Sequence, residues 1–440
     1  MKKAVDLCLL SFTVLAAASF AQTSPGVERQ ILDRLTRLEE ENRALRRELD
    51  EIRREVAGRS SPRVDERLDI QERRIDEQAQ SKVEAAQKFP IRFSGMLLAN
   101  LFRNGTHSGG QDTPTIAARN EGRGTAGLTL RQSIFGMEYH GPSSAWGSRV
   151  RGSMSFDFFD GFAETGFPPV RLRTADITLD WASRSLSFAL DKPLISLRDP
   201  SSLSYSGVSP LTGSGNLWRW HPQIRFEQRA TVSESSSLHA QFALVQTTEE
   251  SGLPAGFTAA QLERRRPGLQ GRLQWRNDFG EDRRFEVAPS FHVSRTHIAG
   301  ASPSSRVIAL DWLVKPARWL ELSGLFWGGQ NVHHFGALRQ GFTMIGNEIV
   351  PVHSRGGWGQ VSFPVTGRVT FNVIGGVHDD RNRDLVAGGI DSNRTTAINT
   401  IYRLAPNVLM SLEALRLRTV YVGAGGRTHN RYDLAVAYLF

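Results

Sequence analysis

Arginines stand in evenly spaced pairs along the C-terminal part of the chain, for example Arg149 with Arg151 and Arg272 with Arg276. A β-strand points residues i, i+2 and i+4 to one face, so each pair would place two guanidiniums side by side. The planar guanidinium fork binds carboxylate and phosphate in bidentate geometry, so these positions suit anionic solutes. The candidate set, with two acids on the same face, comprises Arg149, Arg151, Asp157, Arg225, Glu227, Arg229, Arg272 and Arg276.

The strands that carry these arginines are apolar on their other face. In the stretch PGLQGRLQWRND at 267–278, Leu269 and Trp275 alternate with Arg272 and Arg276. A period of two is typical of a strand with one apolar and one polar face. A soluble sandwich points the apolar face inward and a membrane barrel points it outward, so the alternation alone leaves both open. The same alternation recurs at 148–158, 368–377 and 430–440.

Strands of this kind fill the C-terminal 350 residues. In the fourth strand, strict alternation would place the charged Arg171 and Arg173 on the same face as the apolar Ile177 and Leu179. We therefore expect a bulge or a shifted boundary there. About 16 strands are predicted, a number within the range of bacterial barrels. They lie near 91–102, 125–139, 147–158, 171–181, 185–191, 223–229, 237–246, 268–276, 284–295, 306–314, 319–327, 357–363, 368–377, 394–403, 408–418 and 430–440.

The connections between these strands alternate between long and short. Residues 103–124 and 192–222 form long connections, whereas 182–184 forms a tight turn. An up-and-down antiparallel barrel of an outer membrane has long external loops and short periplasmic turns. We therefore predict an all-β transmembrane barrel at 89–440 that spans a bacterial outer membrane and contacts its lipid. An even strand number places both ends of this barrel on the periplasmic side.

The N-terminus predicts export. Residues 1–21 have the basic start, short apolar core and small residues before a cleavage site that define a secretory signal peptide. Cys8, the one cysteine, lies within it, so disulfides and cysteine-ligated zinc are excluded from the mature chain. The formal net charge is +9 and the pI about 10.1. An exported chain does not meet cytoplasmic nucleic acid, so this charge does not predict a nucleic-acid partner.

Residues 22–60 predict a coiled coil. Apolar residues recur alternately four and three apart, which is the seam through which helices self-associate, with Asn42 at a position that fixes register. A lone solvated helix is the alternative, and the pattern leaves two or three strands open. After Pro62, residues 61–88 form a linker or second helix that leads to the barrel. The oligomerisation residues are Ile31, Leu35, Leu38, Asn42, Leu45, Leu49 and Ile52.

The connection at 192–222 is much longer than a turn between strands requires, and loops of this length usually have a functional role. We expect it to fold into the barrel and narrow the pore, with an external lid as the alternative. The arginines of the lumen would either select anions or pair with acids across the barrel wall. The constriction residues are predicted to be Asp199, Ser201, Tyr205, Trp218 and Arg219.

Other chemistry-bearing residues give weak patterns. His333 and His334 are adjacent in a long connection, where neighbouring side chains point apart, and a solvated loop is expected. No catalytic residue, metal site or cofactor is predicted, because the sequence has neither a phosphate-binding Gly-Lys-Ser loop nor a nucleophile elbow.

Several stretches together resemble the trimeric outer-membrane porins of the DcaP-like and phosphate-selective families. These are PIRFSGMLLANLF near 90–102, LRQSIFGMEYHGP near 130–142, and the terminal YDLAVAYLF. The resemblance implies a 16-stranded trimer with a periplasmic N-terminal coiled coil and a third loop that constricts the pore. It also implies that Tyr438 and Phe440 form the signal read by the barrel assembly machinery. Ile134 replaces the family's arginine, and Lys192 and Lys315 are the two lysines of the barrel, which favours a general anionic or organic-acid porin over a phosphate-selective one.

The sequence thus predicts a passive porin for small hydrophilic, anionic solutes and no enzyme. An outer-membrane barrel hydrolase is one alternative, and it would need a nucleophile and histidine at the barrel rim. A trimeric surface anchor or adhesin is another, although in that class each chain gives only a few strands to the barrel.

Overall fold

The computed structural model describes residues 91–144, 146–161, 169–247, 267–280, 282–298, 300–338 and 340–440. The predicted signal peptide, the coiled coil with its seam residues from Ile31 to Ile52, and the linker lie outside these residues. None of the described helices is long and apolar enough to span a membrane.

The described residues contain nineteen β-strands and two short 3₁₀ helices, His333–Phe335 and Asn382–Asp384. The strands are β1 (Ile91–Asn104), β2 (Thr125–Thr129), β3 (Ile134–Ser143), β4 (Arg149–Asp157), β5 (Arg171–Asp180), β6 (Arg184–Asp191), β7 (His221–Ser233), β8 (Ser236–Val245), β9 (Gly268–Asp278), β10 (Arg284–Arg295), β11 (Ser304–Ala317), β12 (Leu320–Gln330), β13 (Phe342–Ile345), β14 (Glu348–Pro351), β15 (His353–Pro364), β16 (Val369–Asp380), β17 (Ile390–Ala405), β18 (Val408–Tyr421) and β19 (Gly425–Leu439).

These strands close into an up-and-down antiparallel barrel of 16 strands, as predicted. Each strand of the barrel pairs with the barrel strands before and after it, and β1 closes the barrel on β19 from Met96↔Leu439 to Asn104↔Arg431. β2 and β3 pair with the two ends of β1 and together make the second strand. β13 and β14 form a separate hairpin within the connection 331–352.

A break at 130–133 corrects the prediction of one continuous strand over 125–139. Four residues lie opposite three of β1, because Thr129 pairs with Asn100 and Ile134 with Met96. The Ser133 hydroxyl accepts a hydrogen bond from the Leu98 amide at 3.0 Å, which satisfies a backbone donor that the ladder leaves open. The break turns Arg131, Gln132 and Ser133 into buried positions.

A bulge in β5 confirms the expectation drawn from its parity conflict. Ser155 pairs with Thr174 and Phe156 with Leu172, so Arg173 is the extra residue. A bulge places two successive residues on the same side of the sheet. Leu172 is exposed on the outer face, and Arg171 and Arg173 both contact Asp157 on the inner face.

The two faces of the barrel follow the alternation seen in sequence. Leu269, Leu273 and Trp275 of β9 point outward and are 41%, 45% and 44% exposed, whereas Arg272 points inward and is 6% exposed. The connections also alternate as predicted: those beginning at residues 105, 192 and 331 are long, and the turns at 181–183 and 234–235 are short. The connection 422–424 departs from this pattern, since it is short although it lies at the long-loop end. The chain enters β1 and leaves β19 at the short-turn end.

Candidate functional site

The connection from 192 to 220, here named the inner loop, lies inside the barrel. Leu194, Ile195 and Leu217 are completely buried, and Val208 is almost so. The inner loop packs on inward-facing apolar residues of β11, β12 and β15 to β18, such as Trp358, so the main hydrophobic core lies within the barrel. Apolar area removed from water in this way holds the loop against the wall.

The buried residues at the strand break attach the inner loop to the wall. The Gln132 side-chain amide donates to the Ser204 carbonyl at 2.9 Å, and its oxygen accepts from the backbone amides of Ser206 and Gly207 at 2.8 Å each. Arg131 pairs with Asp112 and Asp160. Residues 131–133, which form part of the stretch that resembles the porin family, therefore attach the inner loop to the wall.

On the wall formed by β15, β17 and β18, polar side chains bind the preceding part of the loop. The Ser201 amide donates to Gln360 Oε1 at 2.6 Å, and Asn399 Nδ2 donates to the Ser201 carbonyl at 2.9 Å. The Ser202 hydroxyl donates to Glu413 at 2.6 Å. Ser201, one of the predicted constriction residues, is thus exposed, and the hydrogen bonds of its backbone amide and carbonyl hold it in place.

The tip of the inner loop approaches the wall so closely that one position requires glycine. Gly215 has a φ of +102°, and a Cβ there would collide with the backbone carbonyls of Gly357 and Val377. Its own carbonyl accepts a hydrogen bond from the Trp327 indole at 2.8 Å. Asn393 Nδ2 donates to the neighbouring Gly213 carbonyl at 3.0 Å.

The inner wall differs between the two halves of the barrel. Inward side chains of β11 to β18 are buried against the inner loop, as Asp311, Trp358 and Leu417 illustrate. Along β4 to β7 the inward side chains are mostly exposed or half-buried. The part of the lumen that the inner loop leaves in contact with water is therefore bounded by β4 to β7, and it is here named the passage. The inward arginines of these strands are Arg149, Arg151, Arg171, Arg173, Arg225 and Arg229.

All eight predicted lumen residues have inward parity, and most of their guanidiniums have carboxylate partners. Arg151 and Arg229 both contact Asp180, at 3.1 and 2.7 Å, and Arg225 lies 3.3 Å from Asp191. Arg276 contacts Asp278 at 2.9 Å, Arg229 lies 3.8 Å from Glu227, and Arg149 is exposed. The alternative of charge pairing along the wall thus describes much of this set.

Two of the predicted residues are buried, and neighbouring side chains bind their charges. Asp157 is 0% exposed and receives Arg171 at 2.5 Å and Arg173 at 2.7 Å. Arg272 binds Asp311 at 3.2 Å and Gln274 at 2.7 Å. Parity identifies the face of a strand but not whether a loop covers it.

The other constriction residues divide between surface and core. Asp199 is half-buried and pairs with Lys192 and with Asn216. Tyr205 is buried, and the guanidinium carbon of Arg431 lies 5.5 Å from the centre of its ring. Burial raises the pKa of the Tyr205 phenol. Trp218 is buried in the core, and burial lowers the pKa of the half-buried Arg219.

Arg171 and Arg173 make the densest set of side-chain contacts beside the passage. The sequence signalled them only as a conflict in strand alternation. Their guanidinium carbons lie 5.2 and 4.9 Å from the ring of Trp220, and Trp218 meets Trp220 edge-on at 5.2 Å. Because both arginines share the single carboxylate of Asp157, this group carries one excess positive charge. Arg173 also donates to the Ser206 carbonyl at 2.6 Å, which joins the wall to the inner loop.

Above this group lies a cavity of about 800 Å³, lined in part by Phe159, Trp218, Arg171 and Arg219. His333 also lines it, and both His333 and His334 are buried, which corrects the expectation of a solvated loop. His333 Nδ1 lies 2.7 Å from the Leu338 carbonyl. Clusters of histidine, cysteine or carboxylate side chains able to hold a metal are absent from the described ranges.

Known structures share this architecture. No protein-family model and no curated protein matches the sequence. The outer membrane channel DcaP of Acinetobacter baumannii superposes with a TM-score of 0.64 at 14% identity, over 80% of this chain and 97% of that one. The trimer form of OmpT of Vibrio cholerae gives 0.47 at 11% identity, over 80% and 99%, and OpdL of Pseudomonas aeruginosa gives 0.43 at 10% identity, over 80% and 98%. The chain therefore has the fold of the DcaP outer membrane channel.

Proposed function

We propose that this protein is a bacterial outer-membrane porin through which small hydrophilic solutes diffuse passively. The observation that carries the proposal is the opposite polarity of the two barrel faces. The outer face is apolar and suits lipid, whereas the wall of β4 to β7 keeps charged side chains in contact with water. Fold likeness to the DcaP channel supports this function, and membership of a DcaP-like family is part of the proposal.

The passage prefers anions in this proposal. Arg171 and Arg173 share Asp157, so a solute that passes Trp220 meets a net positive group at the edge of the inner loop. A guanidinium fork that lies beside an aromatic ring offers both a bidentate site for carboxylate and an apolar contact for the body of the solute. Asp199, Ser201 and Arg219 of the inner loop bound the passage on the other side.

The remaining parts of the chain fit an outer-membrane trimer. An even strand number places the start of β1 at the short-turn end, so a segment N-terminal to it would lie in the periplasm. A signal peptide at 1–21 would direct export, and the seam at 22–60 would hold three copies together. The outward aromatic residues Tyr438 and Phe440 would serve recognition by the barrel assembly machinery.

Current through the purified full chain in a planar bilayer under a salt gradient tests the porin function. We expect conductance in groups of three equal steps and a reversal potential of the anion-selective sign. Absence of conductance from folded barrels would overturn the porin function, and a cation-selective potential would overturn the anion preference alone. Leu38→Asp with Leu45→Asp should abolish the groups of three, whereas the flank variant Arg46→Ala with Arg53→Ala should keep them.

A further inference from the structure

Three arginines point outward from the barrel near its long-loop end. Arg394 of β17 and Arg416 and Arg418 of β18 are exposed, and they alternate with buried residues such as Thr395 and Leu417. Arg394 stands directly opposite Arg418 in the strand register. Like charges that face each other across a strand pair are destabilising, and an anion bound between them would remove that cost.

An open groove lies beside this cluster on the same outward face. Its cavity volume is about 630 Å³, and its lining includes Phe326, Val377, Arg355 and Arg394. Glycines form part of its floor: a Cβ added at Gly359 or Gly375 would meet no atom within 4 Å. The groove is therefore open to the surroundings of the barrel, with an apolar side below and guanidiniums above.

The charge of this surface opposes the packing of a second barrel against it. Asp379 faces outward in this region, but it is already bound to Arg355 at 2.8 Å. Along the described barrel strands the other carboxylates that follow the strand alternation, such as Asp311, Glu413 and Asp433, face inward. The described barrel strands of a second copy would thus offer no further outward carboxylate to Arg394, Arg416 and Arg418.

We propose that this surface binds a phosphorylated lipid of the outer leaflet. The phosphate lies between Arg394 and Arg418 with Arg416 beside it, and an acyl chain follows the glycine floor past Phe326. Guanidiniums bind phosphate through paired charge-assisted hydrogen bonds, and clusters of them at a membrane interface attract anionic headgroups. This proposal rests on the proposed function, because it requires the long-loop end to lie at the outer leaflet.

Native mass spectrometry of the detergent-solubilised full chain, titrated with lipid A, tests the proposal. We expect the double variant Arg394→Gln with Arg418→Gln to bind lipid A at least tenfold more weakly than the unaltered protein. The matched control is Arg318→Gln with Arg368→Gln, which removes the same charge from exposed sites at the short-turn end. Gly359→Leu with Gly375→Leu should weaken lipid A binding by filling the groove while leaving the arginines in place.

Equal binding by the double variant and the control would overturn the proposal. Equal binding of dephosphorylated lipid A would also overturn it, because the phosphate would then have no role. Loss of the oligomer in the double variant with unchanged lipid binding would assign the surface to a second copy instead. Conductance measured on the same samples separates the two proposals. A protein that conducts ions but binds no lipid A would overturn only the lipid site. A barrel that binds lipid A but conducts no ions would overturn only the porin function.

Discussion

The side-chain amide of Gln132 donates a hydrogen bond to the carbonyl of Ser204 at 2.9 Å, and this contact joins the break in the second strand to the inner loop. The oxygen of the same side chain accepts two backbone amides from residues 206 and 207. One buried glutamine therefore satisfies three backbone groups of a segment that has no strand partner of its own. We expect the position of the inner loop, and with it the width of the passage, to depend on such contacts.

Substitution Gln132→Ala should loosen the inner loop. It leaves buried backbone donors without their acceptor, at a cost of about 1–3 kcal/mol per unsatisfied group. We expect a lower Tm together with a larger and noisier single-channel conductance. Gln228→Ala is the control, because that amide is exposed on the outer face. Identical conductance from the two variants would show that Gln132 does not position the loop.

Substitution Asp157→Asn should both destabilise the barrel and strengthen anion selectivity. The change leaves Arg171 and Arg173 without the carboxylate that they share, at a cost of about 2–4 kcal/mol once their partial exposure is considered. Denaturant unfolding and reversal potential measure the two effects. Asp180→Asn makes the same charge change on the more open wall and should cost much less stability. A selectivity shift from Asp180→Asn alone would relocate the selective site to Arg151 and Arg229.

Substitution Gly215→Ala should displace the loop tip. The added methyl would meet the Gly357 carbonyl, and the positive φ is unfavourable for alanine. Together these effects should cost about 1–3 kcal/mol and weaken the hydrogen bond that the Trp327 indole donates to residue 215. Gly359→Ala is the matched control, since a Cβ there meets nothing. Tryptophan fluorescence and conductance should change in the first variant and stay constant in the second.

Substitution Phe440→Ala should lower the amount of barrel in the outer membrane several-fold without preventing refolding in detergent. The terminal ring lies outward against Phe135 at 5.7 Å, which is a modest contribution to stability. The comparison between cells and detergent separates recognition by the assembly machinery from intrinsic folding. Phe371→Ala, which removes an outward aromatic ring from a strand other than the last one, serves as control. Unchanged membrane levels in the first variant would remove the assembly role.

Parity in the sequence predicted which residues of each strand face outward, because a strand alternates strictly, and Leu269 and Trp275 show this. The same rule revealed the bulge at Arg173 as a conflict before its contacts were known. Parity could not show that Asp157 and Arg272 are covered, since depth depends on a loop that folds back from a distant part of the chain. Nor could it reveal the break at 130–133, where three successive residues turn inward and ladder pairing is lost.

The hydrophobic core within the barrel has a thermodynamic consequence for a protein whose outer face meets lipid. Residues such as Leu217 and Trp358 are removed from lumen water, not from hydrocarbon, when the inner loop docks. Docking therefore carries the negative heat-capacity change of apolar burial, which contacts between the outer face and lipid lack. The hold of the loop weakens on cooling, so the passage should be loosest in the cold while the surrounding wall of strands stays intact.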